Sequence, residues 1–156
     1  MCGSDSTSIR VIGNSAIGDL AHVEIEISSG YDFVVLEARP SLTIGRPVDT
    51  SNGPNWGSAF SYDLIPPAGE TTSSIGLKLQ AAAGLYRNDL WDGIPGGWGS
   101  AGRVVDYGHN SNSYVGGLIE NVLPGSGIRW AIQAAAQARG FRVPGIEKPI
   151  PLGGSR

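Results

Sequence analysis

The chain has 156 residues, a formal net charge of −3 and only 16% charged residues, with 24 glycines and 10 prolines. That length fits one domain with one core, and the Gly/Pro content favours turns and short elements over a helical bundle. The charge lacks any basic cluster, which disfavours nucleic acid as a partner, and no run of about 20 apolar residues is present to span a membrane.

The start, "MCGSDSTS", is polar and lacks the apolar core of a signal peptide. Residues 1–8 therefore read as a disordered lead-in. The one cysteine, Cys2, lies in it, which rules out an intramolecular disulfide and a Cys-based zinc site. Two histidines occur, His22 and His109, so imidazole chemistry must use one of them.

Residues 20–28, "LAHVEIEIS", alternate strictly. Ala21, Val23, Ile25 and Ile27 take one face and His22, Glu24 and Glu26 the other, the pattern of a half-buried strand. The turn "SSGYD" leads to a second strand, 33–38, completing a hairpin. A loop-rich stretch precedes a third strand over 58–64, stopped by Pro66 and Pro67. Residues 71–89 read as a helix with caps among Thr71 to Ser74. The stretch 91–102, "WDGIPGGWGSAG", is too rich in glycine for regular structure and reads as a loop anchored by Trp91 and Trp98. A helix opens within "HNSNSYVGGLIE", with Val115, Leu118, Ile119 and Val122 at helical spacing, and ends at Pro124-Gly125; another spans 128–140. Residues 144–156 read as a Pro/Gly-rich tail. The order predicts an α+β domain over 9–143, a small antiparallel sheet packed against helices.

His22 lies on the polar face of its strand, and the hairpin can bring Glu37 beside it. A carboxylate next to an imidazole fixes its tautomer and raises its basicity. The alternative is two solvated residues on an exposed sheet face. No carboxylate cluster with metal spacing stands out, and neither a metal nor a cofactor is expected. Ser111 and Ser113 both suit the start of the second helix as N-caps. The free N–H groups and dipole there equally favour a nucleophile, which would need a base such as His22 or His109.

"AHVEIEISSGYDFVVLEARP" followed much later by "HNSNSYVGGLIE" resembles the circularly permuted papain-like fold. That group includes NlpC-type cell-wall amidase–peptidases and lecithin–retinol acyltransferase-like enzymes. The resemblance implies His22 as the base, Glu37 as the residue orienting it, and Ser111 in the position where the family carries a nucleophilic Cys. Asn110, Tyr114, His109 and Trp98 would then line the substrate site, with plain core packing the favoured alternative for Trp98, and Ser113 would cap the helix or face solvent. The departure from Cys has three readings: a natural serine enzyme, a thiol replaced to silence the enzyme, or a fold kept for binding alone. The first is favoured here.

The terminal "GFRVPGIEKPIP" is similar to the ends of bacterial polymorphic-toxin modules. This implies a secreted effector, made as part of a larger protein and delivered into a target cell, with an immunity protein as partner. The expected substrate is an amide or ester, a cell-wall peptide or a lipid. The alternatives are an inactive papain-like binding module and a metal-independent RNase using His22 and His109.

Overall fold

A computed structural model describes residues 6–39, 46–49, 58–86 and 111–149. Of residues 16, 17, 38, 39, 46–49 and 111 it describes the backbone. The architecture is α+β. Five strands, β1 (Thr7–Ile17), β2 (Leu20–Ser29), β3 (Asp32–Arg39), β4 (Arg46–Asp49) and β5 (Ser58–Asp63), precede three helices, α1 (Thr72–Leu85), α2 (Ser111–Val122) and α3 (Ile128–Gln137). The sheet is antiparallel throughout, in the order β4-β3-β2-β1-β5.

The β2–β3 hairpin is the one its alternation predicts, turned at Gly30-Tyr31, where Gly30 takes the left-handed φ of 60°. The Thr71 side chain caps α1 by accepting the Ser74 amide. Two strands lie where the sequence predicts none. Thr7 and Ser8, expected in a disordered lead-in, open β1, the strand between β2 and β5. Its apolar period is broken by Ile12 and Gly13, which hides it from a pattern reading. Gly13 is required there because the Phe60 ring lies across it, and a Cβ would come within 2.0 Å of that ring. β4 sits in the stretch taken as loop.

Ile9, Val11, Val23, Ile25, Ile27 and Leu36 point from one face of the sheet into the main core. There they meet Ile75 and Leu79 of α1, Val115, Leu118 and Ile119 of α2, and Ile132 of α3. The other face is buried too at its centre. Ile12, Val35, Glu24, Glu26 and Glu37 are all buried yet stand apart from that core cluster, so β2 is covered on both faces rather than half-buried.

The segment after α3 is no loose tail up to residue 149. Val143 and Ile146 are fully buried. Arg142 forms a parallel bridge to Leu20, and its side chain pairs twice with Asp19 at 2.7 and 3.0 Å. The domain therefore continues past the predicted boundary at 143. Residues 150–156, and the predicted loop 91–102 with its tryptophans, lie outside the described residues.

Candidate functional site

The site begins where two strands part. β2 and β3 pair in register up to Ile25↔Leu36, after which β3 carries on in register with β4, from Leu36↔Asp49 to Arg39↔Arg46. The first residues of β2 thus lose β3 as a neighbour, and their outward N–H and C=O groups need other partners. Two segments supply them. The Ala21 amide donates to the Arg142 carbonyl at 2.8 Å. The Asn112 side chain takes the next two groups: its Oδ1 accepts the Val23 amide and its Nδ2 donates to the Ala21 carbonyl, each at 2.9 Å. Nδ2 also donates to the Pro144 carbonyl at 3.1 Å. One carboxamide thus stands in for a missing strand residue and holds the first turn of α2 against β2.

His22 lies between the two residues that Asn112 grips. Its ring nitrogen Nε2 is 3.4 Å from Glu37 Oε2, with the imidazole 23% exposed and the carboxylate 3% exposed. An ionised carboxylate only accepts hydrogen bonds, so a neutral His22 bonds an ionised Glu37 as the Nε2–H tautomer. The predicted His22–Glu37 juxtaposition is therefore present, and its partner carboxylate is buried rather than solvated.

Sequence reasoning missed the third member. Glu24, 2% exposed, follows His22 by two residues on the same face of β2. Ligand atoms of His22, Glu24 and Glu37 all lie within 4.8 Å of one another. This corrects the expectation that no carboxylate cluster with metal spacing forms, since one imidazole and two carboxylates are a donor set that divalent cations take. The alternation His22-x-Glu24 was the available signal. Next along that face, Glu26 pairs with Arg10 at 3.0 Å.

α2 starts at Ser111, so the backbone of the predicted nucleophile adjoins Asn112 and, through it, the strand segment carrying His22. The Ser111 side chain is outside the described atoms, as are His109, Asn110 and Trp98. Ser113, expected at solvent or as a cap, is fully buried and donates to the Gly145 carbonyl at 2.9 Å. Tyr114, expected to line the substrate site, is fully buried in the core, its ring edge-on to Tyr86 with centroids 4.9 Å apart. The apolar side chains that follow Asn112 and Ser113 anchor α2, and Tyr114 is the largest of them.

No protein-family model, no curated protein and no solved structure matches this chain.

Proposed function

We propose that the domain is a serine hydrolase or acyltransferase with the circularly permuted papain-like arrangement, acting on an amide or ester bond. Ser111 attacks the carbonyl, His22 accepts its proton through Nδ1 and returns it to the leaving group, and Glu37 holds the ring by Nε2. The observation that carries this reading is the buried Glu37 carboxylate on His22 Nε2, beside the docked start of α2. Negative charge beside the ring stabilises the imidazolium formed at each turnover and fixes the tautomer a base needs. Backbone N–H groups in the first turn of α2 suit a developing oxyanion. The bacterial-effector reading, with a cell-wall peptide or lipid substrate and an immunity protein as partner, rests on the sequence resemblance.

A second reading has its own observation. The His22, Glu24 and Glu37 cluster suits a divalent cation that would polarise the substrate or activate water. Expression in a bacterial host, in the cytoplasm and with periplasmic targeting, separates the two readings. The serine mechanism predicts that the native chain arrests growth, that Ser111→Ala and His22→Ala abolish the effect, and that the purified hydrolase resists EDTA. Loss of a group acting in proton transfer lowers rates about 10²–10⁴-fold, which is enough to remove toxicity. Full toxicity of Ser111→Ala would refute it, and inactivation by EDTA with recovery on adding a divalent cation would favour the second reading.

A further inference from the structure

The chain must bring two residues about 90 positions apart into one reaction geometry, and hydrophobic packing alone fixes helix position loosely along a strand. Asn112 removes that freedom. It neighbours Ser111 in sequence, and its carboxamide is bonded to the two residues flanking His22, Ala21 and Val23. A third bond to Pro144 fixes the plane of the amide. The group is 2% exposed, so water does not compete for these bonds. A donor and an acceptor in fixed separation match only one register of strand backbone, because neighbouring residues point their N–H and C=O groups the other way.

We infer that Asn112 is the positioning residue of the site, setting the height of the start of α2, and so of the Ser111 backbone, on the β2 segment that carries His22. The inference rests on the serine reading above. A displacement of about 1 Å at the reacting atoms costs on the order of 100-fold in rate. Ser113 supplies the internal comparison: it is equally buried in the same turn, and its hydroxyl donates to the Gly145 carbonyl.

A fluorophosphonate tests this without knowledge of the substrate. The Ser111 oxygen attacks phosphorus, the P–F bond breaks, fluoride leaves, and the serine proton passes to His22. The adduct on Ser111 is counted by peptide mass spectrometry. Asn112→Ala is expected to lower the limiting rate of labelling about 10–100-fold with the reagent's half-saturation unchanged and the far-UV circular dichroism retained. Ser113→Ala is expected to lower the melting temperature and leave the limiting rate as it was. Should Asn112→Ala not fold, Asn112→Asp keeps the acceptor for Val23 and loses the donors to Ala21 and Pro144, with the same rate loss expected. Native labelling rates in a folded Asn112 variant overturn the inference. So does an equal loss in Ser113→Ala, or failure of both Asn112 variants to fold, since each makes the role one of stability alone. Absence of any Ser111 adduct in the native chain is a different outcome: it removes the serine reading itself and this inference with it.

Discussion

Glu37 and Glu24 bring two carboxylates to one imidazole, and burial gives that arrangement its force. In water, charges a few ångströms apart interact by about 1 kcal/mol, whereas inside protein the same separation is worth several times more. His22 itself keeps an opening to solvent, which the proposed proton exchange with a substrate requires. The strand alternation already puts His22, Glu24 and Glu26 together, and the hairpin turn supplies Glu37. The burial of that face was not legible, since a polar stripe on a strand reads as solvated. A second charged pair works differently. Asp19 and Arg142 are exposed, and the guanidinium's hydrogen bond to Asp19 lowers that carboxyl's pKa below its ordinary value while raising that of Arg142. A depressed carboxyl pKa contributes stability above the unfolded-state value and loses it as pH falls through the folded-state value. Arg142→Ala should therefore melt below the native protein at pH 7, with the gap narrowing as pH drops below the ordinary Asp range. A gap of constant size from pH 7 to acid would show that the pair contributes nothing through this linkage.

Among the elements, α2 is held by its polar first turn and its apolar remainder together. Asn112 and Ser113 reach backbone carbonyls of the 144–145 segment, and Val115, Leu118 and Ile119 fill the core. Gly116 lets the C-terminal segment lie directly on the helix: a Cβ there would sit 2.5 Å from the Ile146 carbonyl oxygen. That oxygen belongs to backbone and yields only if the whole segment shifts. Gly116→Ala is expected to destabilise by about 1–3 kcal/mol as an overpacking change, measured by denaturant unfolding. A neutral or stabilising result would mean that residues 144–149 pack loosely. Helix α2 itself was legible from its polar start, its 3.6-residue apolar spacing and the Pro-Gly that follows. Its bonds to β2 and to residues 144–145 were not, because they join stretches of chain 32 to 91 residues apart. β1 escaped for a local reason, as Gly13 and Asn14 resemble a turn, and only pairing on both sides makes them strand.

At the scale of the molecule, the sheet works as a partition. One face and the three helices form the apolar core, and the opposite face carries Arg10, His22, Glu24, Glu26 and Glu37. The parting of β3 from β2 breaches the partition at one place, and the start of α2 enters there. The antiparallel α+β plan was readable from alternation and caps, whereas the breach follows from where β3 changes partner, which no local pattern encodes. No helix among the described residues is long and apolar enough to cross a membrane.

The serine mechanism requires the side chain at 111 to face His22. The alkylation rate of Ser111→Cys as a function of pH, in a Cys2→Ser background, tests it most directly. A thiol beside an imidazole that can hold a proton is ionised well below the ordinary thiol value of about 8.5. Rapid alkylation by iodoacetamide near pH 6, lost when His22→Ala is added, is expected. Alkylation that rises only around pH 8.5 and ignores His22→Ala would place residue 111 away from the base and refute the serine mechanism.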